Sequence, residues 1–150
     1  MSVSKFNHEG YFDPTVHDAL RNIEIEERAS RREILQKQIP NYRPLVYICS
    51  PYADDIPNNE RRARQFCEYA VQQRCIPIAP HLLFPQFLDE HSPTDRELGL
   101  FMGLVLLTKC VEMWVLGAYI STGMQREIDK AEERGLPIRF FSEDFEEVIP

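Results

Sequence analysis

The chain has 150 residues, enough for one domain that buries roughly two thirds of the surface its unfolded form exposes. Its 43% hydrophobic and 27% charged residues are the proportions of an ordinary globular protein. The net charge of −7, with no Lys/Arg block beside a predicted element, argues against double-stranded nucleic acid as a partner, while small nucleotides stay open because a pocket can be locally positive.

No apolar stretch reaches the ~20 residues that a membrane helix needs, and no signal-peptide-like run opens the sequence. Cys49, Cys67, Cys75 and Cys110 lack C-x-x-C spacing and fall within or beside predicted strands and helices, which reads as reduced, buried thiols. A cytoplasmic location and no membrane partner are expected. His8, His17, His81 and His91 are scattered, without the spacing of a metal site. G-x-G-x-x-G and G-x-x-x-x-G-K-[ST] are both missing, so no cofactor is implied.

In chain order, residues 1–14 have no period and read as an irregular arm. Residues 15–38 read as helix, with Val16, Leu20 and Ile23 as a sparse stripe. Ser30-Arg31-Arg32-Glu33 has capping-box form, which predicts a break and a second short helix. Glu24 before Arg28 and Glu27 before Arg31 mark a solvated face. This arm, residues 1–43, reads either as a subunit clamp or lid, or as a helix packed outside the domain.

After Pro40 and Pro44 an α/β domain is expected over residues 44–150. Leu45 to Cys49 is a continuous apolar run, as a strand covered on both faces should be. Ser50 to Asn58 is predicted as loop, and residues 59–74 as a helix burying Ala63, Phe66, Cys67, Ala70 and Val71. Ile76 to Ala79 is the second strand, and Pro80 to Glu90 a loop rich in proline and aromatics. Ser92-Pro93 caps and opens a helix that is apolar nearly all round. Val111 to Leu116 is the third strand, with Glu112 read as surface or strand end. A helix to Arg134 follows, ended by Gly135, then Leu136 to Phe141 as the fourth strand. The acidic tail from Ser142 is predicted to add half a turn of helix.

Strands alternating with helices give an α/β fold: a small Rossmann-like, flavodoxin-like three-layer structure with a parallel sheet of four to five strands. Right-handed crossovers favour the order 2-1-3-4, plus an N-terminal helical extension. Strands 1 and 3 are then neighbours at the topological switch point, where α/β sites form beyond the strand carboxyl ends. The loops Ser50 to Asn58 and Gly117 to Gly123 both lie there.

The stretch from Trp114 to Ala131 joins a buried strand end to a helix start. Thr122 and Gln125 have capping-box form, and Met124, Ile128 and Ala131 form a core-facing stripe. Glu127 sits beside that stripe and should lean back over Gly123, leaving a carboxylate next to open space. A helical Glu is ordinarily solvated; the glycine and the crevice single this one out.

The G-x-x-x-E run from Gly123 to Glu127, with Tyr47-Ile48-Cys49-Ser50-Pro51-Tyr52 and the segment Ala79 to Asp89, resembles the nucleoside 2-deoxyribosyltransferase-like superfamily, in a branch of unknown function. The resemblance covers roughly residues 44–142. It implies that Glu127 is a nucleophile toward the sugar of a nucleoside or nucleoside 5′-monophosphate, and that Tyr47 orients it; Tyr47 otherwise reads as a core or edge aromatic. Base exchange or hydrolysis would follow through a covalent glycosyl intermediate. Ser50, Pro51, Tyr52, Asp54, His81, Gly117, Ser121, Thr122 and Gly123 are the substrate-binding candidates. Ser121 stands where relatives that cleave nucleotides carry a serine touching the 5′-phosphate; with the N–H groups of Thr122 and Gly123 it would suit a phosphate, or it merely shares the helix cap. His81 either donates to a base or phosphate or is packed at the strand end.

Two departures from the superfamily pattern stand out. Val111 takes the place of an Asp at the third strand, and Met102-Gly103-Leu104 holds no acid to assist the leaving base. Asp95, Glu97, Asp54 and Asp55 are the alternatives for that role. A catalytically inactive nucleotide-binding module of the same fold is therefore the rival reading. The apolar excess of the helix from Asp95 to Lys109 further predicts a homodimer or higher homo-oligomer through Leu100, Leu104 and Leu107, or else a stripe covered by the N-terminal helices of the same chain.

Overall fold

A computed structural model describes the backbone of residues 14–149 and the side chains from residue 18 onward. The predicted irregular arm, His8, and the side chains of Val16 and His17 lie outside the described residues. The chain divides into two compact units, one holding the first helix and the other residues 44–148.

Helix α1 (Pro14–Gln38) runs unbroken through Ser30, where a second helix start was expected. A serine and a glutamate three apart cap a helix only when the chain before them leaves the helical region. Here strong helix formers continue on both sides, and Glu33 pairs with Lys37 at 2.8 Å.

In the second unit the sheet has the order β2-β1-β3-β4-β5, with β1 (Leu45–Cys49), β2 (Ile76–Ile78), β3 (Glu112–Leu116), β4 (Ile138–Phe141) and β5 (Glu147–Val148). The first four strands are parallel and β5 is antiparallel to β4. This is the predicted order with one strand more. The tail forms that strand instead of half a turn of helix, because Phe140 and Phe141 offer an open sheet edge to Val148 and Glu147.

Strand alternation sorts the core into two layers. Val46, Ile48, Trp114 and Leu116 face α2 (Ile56–Gln72), packing with Phe66, Ala70 and Phe141. Tyr47, Cys49, Met113 and Val115 face the other way, among Leu107 of α4 (Pro93–Leu107) and Met124, Ile128 and Ala131 of α5 (Thr122–Glu133). The alternation decides the site, since it sends Tyr47 toward α4 and α5.

Several boundaries differ from expectation for local reasons. Helix α2 begins three residues early because Asp55 takes the cap, accepting from the Asn58 N–H at 3.5 Å. Pro57 suits the first turn, where its missing N–H costs nothing. The proline-rich loop folds into a short helix α3 (Pro80–Leu83), opened by Pro80, and a 3-10 turn (Phe84–Gln86) with Pro85 second; proline suits both places because its φ is fixed near the helical value. Ser121, not Thr122, caps α5, its Oγ 3.2 Å from the Met124 N–H.

Glu112 is buried rather than at the surface. Its Oε1 accepts from Trp114 Nε1 at 2.7 Å and from Arg139 at 3.2 Å, and Arg139 also binds Glu147 at 2.8 Å. The outward apolar face of α4 is also not the one expected. Leu107 is in the core and Leu104 packs against it, whereas Leu98, Phe101 and Val105 are exposed. No described helix is long and apolar enough to cross a membrane.

Candidate active site

Tyr47 is fully buried in the middle of β1, and its hydroxyl donates to Glu127 Oε1 at 2.9 Å. The two are eighty residues apart in sequence and meet because β1 is flanked by α5. Glu127 follows Met124 by three residues and precedes Ile128, so the packed stripe of α5 holds its stem against the core while its carboxylate opens on a cavity. Burial raises its pKa to about 7, against a smaller lowering by the Cys49 thiol and the Tyr47 hydroxyl. Near neutral pH the group is therefore divided between acid and carboxylate, the condition in which a carboxyl can serve either role.

The cavity measures about 200 Å³, small for a ligand site and suited to one compact ligand. Its walls come from α4, from the α3 and 3-10 segment, and from Tyr52 and Glu127. Phe84, Pro85 and Leu88 make it largely apolar, and Asp89, Glu90, Asp95 and Arg96 lie along its walls. His81 also lines it, with Nε2 2.7 Å from the hydroxyl of buried Ser50 and its ring edge-on to Tyr52 at 6.2 Å. Burial of the imidazole lowers its pKa to about 4, so it is neutral at physiological pH.

Among the sequence candidates, Tyr52, His81 and Glu127 reach the wall, with Tyr47 and Ser50 behind Glu127 and His81. Pro51, Asp54, Gly117, Ser121, Thr122 and Gly123 are not on it. Asp54 is exposed with φ 75°, in the loop before the α2 cap. Gly117 has φ 88°, and a Cβ there would come within 2.7 Å of Glu143 Oε1, so its glycine serves the turn after β3. The Ser121 hydroxyl is engaged in the α5 cap. Glu127 does not lie over Gly123, where an added Cβ would meet only Ser121 Oγ, at 3.9 Å; the carboxylate turns instead toward Tyr47. Of the alternative acids, Asp95 is on the wall and accepts from the Asp89 N–H at 2.8 Å, Asp55 caps α2, and Glu97 pairs with Arg126 at 3.7 Å.

Sequence reasoning missed the face of α4. Gly103 is buried there, and a Cβ on it would stand 3.2 Å from Tyr47 Oη and 3.5 Å from Pro80 Cβ. The absent side chain is what lets the tyrosine hydroxyl reach Glu127. Gly103→Ala should thus displace that hydroxyl and raise the Glu127 midpoint above about 7, followed by carbon NMR of the labelled carboxyl. Helix propensity favours Ala by up to about 1 kcal/mol, so the variant should still fold. An unchanged midpoint would mean that Tyr47 gives way without losing its bond.

A family model described as "Domain of unknown function (DUF7768)" matches residues 44–141. The chain belongs to that family. The DUF7768 domain thus covers the sheet through β4 and every wall of the cavity. It is also similar in structure to the 2-deoxyribosyltransferase of the psychrotolerant bacterium Bacillus psychrosaccharolyticus, with 17% identity and a TM-score of 0.52 over 71% of this chain and 77% of that one. At that identity the likeness is one of fold, and it makes this DUF7768 domain a branch of the 2-deoxyribosyltransferase fold. No curated protein sequence matches it.

Proposed function

We propose that this DUF7768 protein cleaves or exchanges the N-glycosidic bond of a nucleoside, with Glu127 as nucleophile. The observation that carries the reading is the pairing of a buried tyrosine hydroxyl with a carboxylate, at 2.9 Å, beside a largely apolar cavity. Glu127 attacks the anomeric carbon, the C–N bond breaks with its electron pair leaving on the base, and a glycosyl ester remains on the enzyme. Water or a second base then takes the sugar and frees the carboxylate. Neutral His81 offers hydrogen bonding to the base without adding charge. The free nucleoside suits this site better than its 5′-monophosphate. Asp89, Glu90, Asp95 and Glu127 line the wall against Arg96, and the Ser121 hydroxyl is already used in the cap.

The test is to incubate the protein with deoxynucleosides and deoxynucleotides and to separate free base by chromatography. Base release is expected; binding by calorimetry without release would instead make it a silent nucleotide-binding module. The missing acid at Met102-Gly103-Leu104 is the observation that favours this rival.

The same geometry sets a pH dependence. The nucleophile is the ionised carboxylate, so kcat/KM should rise with pH through about 7. The Tyr47 hydrogen bond favours the ionised form, and bonds to charged groups contribute about 1.5–3 kcal/mol. Tyr47→Phe should therefore move the midpoint up by roughly one unit and lower activity at pH 7 by about fivefold. A profile with the wild-type midpoint would remove Tyr47 from this role.

A further inference from the structure

Asp95, Gly99 and Gly103 follow one another at i, i+4 and i+8 on α4, share one face, and all line the cavity. Glycine is the poorest helix former after proline, so two glycines inside one helix call for a cause each. Gly103 has its cause in Tyr47. Gly99 does not have a comparable one: a Cβ there would meet Leu88 Cδ1 at 3.5 Å, an ordinary contact, and nothing else within 4 Å. A methyl at 99 would fit the fold and project into the cavity. Along the helix Gly99 stands about 6 Å from Gly103, the end where Tyr47 and Glu127 meet, and Asp95 about 12 Å from it. Phe84, Leu88 and His81 supply a further, mostly apolar wall.

We propose that Gly99 is the specificity-determining position of this cavity, leaving α4 bare one turn from Gly103 so that a planar base of two fused rings lies along the helix toward Asp95. This inference rests on the nucleoside reading of the site. A base leaving from the carbon beside Glu127 must extend along the walls that remain open. A base of two fused rings reaches further along α4 than a single ring does. Flat apolar rings between peptide backbone and Phe84 and Leu88 lose water contact on both faces. A side chain at 99 takes that space from the second ring and leaves the bond-breaking end untouched.

The experiment measures base release from purine and pyrimidine 2′-deoxynucleosides by wild type, Gly99→Ala, and Gly99→Ala combined with Leu88→Ala. Wild type should favour the purine compounds. Gly99→Ala should lower kcat/KM for purines about tenfold, mostly through KM, and for pyrimidines less than about threefold, the scale on which a pocket reads one methyl group. Its melting temperature should be at or above that of wild type. Removing the facing Leu88 side chain should restore much of the purine rate, which general damage to the fold would not allow. An equal fall for both classes, or no fall, overturns the proposal. If wild type releases no base at all, the catalytic reading fails alone, and calorimetry with free adenine and cytosine decides the role of Gly99. Adenine binding lost in Gly99→Ala upholds it; adenine binding unchanged, or absent already in wild type, overturns it.

Discussion

Glu127→Gln should abolish base release, by about a thousandfold or more, the range seen when an activated nucleophile is removed from its partners. The substitution keeps the shape of the side chain and an oxygen for the Tyr47 hydroxyl, so the loss would report chemistry rather than collapse. Folding has its own signature. Burial holds the Glu127 pKa at about 7, above its ordinary value of 4.5, so the folded state prefers the protonated acid. The stability this gives is complete below about pH 4.5 and is lost as pH rises through 7. By the same linkage the loss amounts to at most about 3 kcal/mol. Glutamine does not ionise, so Glu127→Gln should melt higher than wild type above pH 7 and nearly level with it at pH 4.5.

His81 acts in the opposite direction. Its pKa falls to about 4 from the ordinary 6.5, so the stability of the neutral ring is present above about 6.5 and lost as pH falls through 4. The acid limb of the melting curve should therefore survive in Glu127→Gln, and only the alkaline limb should flatten. A variant with full base release, or with both limbs unchanged, would take Glu127 out of the site.

The four parallel strands were legible because each is local in the sequence. The apolar runs at residues 45–49 and 113–116 read as strands covered on both faces, and the helices between them favour parallel order. Glu127 was legible through its place beside the Met124 and Ile128 stripe. What failed needed partners distant in the chain. Glu112 reads as a polar strand end until Arg139, twenty-seven residues away, is known to face it. The tail reads as half a turn of helix until the β4 edge is seen to be open. The cap of α5 moved from Thr122 to neighbouring Ser121, which caps as well, a choice that propensity does not make.

The cavity was the least legible part. It was expected between the loops after the first and third strands, and the second of these is not on its wall. The signal that would have found it is the Asp95, Gly99, Gly103 spacing, set in a helix whose apolar residues drew attention to packing instead. A glycine at helical spacing states only that something approaches closely there. For Gly103 that something is Tyr47, which no pattern within the helix could name.

The largest expected loss of stability lies on the far layer, at Arg139. Its guanidinium binds buried Glu112 at 3.2 Å and Glu147 at 2.8 Å, and lies 5.0 Å from the Trp114 ring centre and 5.2 Å from that of Phe141. Three strands, β3, β4 and β5, are thereby joined through one side chain. Arg139→Ala would remove the cation and leave the Glu112 carboxylate enclosed without it, a loss of about 3–5 kcal/mol for a buried pair broken on one side. That is a large part of the 5–15 kcal/mol typical of a whole domain, so the variant should unfold at markedly lower urea. Much of the loss comes from the stranded acid rather than from the bond itself. Arg139→Met with Glu112→Gln should therefore recover a good part of it, since the amide still accepts from Trp114 Nε1 and the thioether still covers the rings. Arg139→Ala at wild-type stability, or a double variant no better than Arg139→Ala, would mean that the network adds no more than an exposed ion pair does.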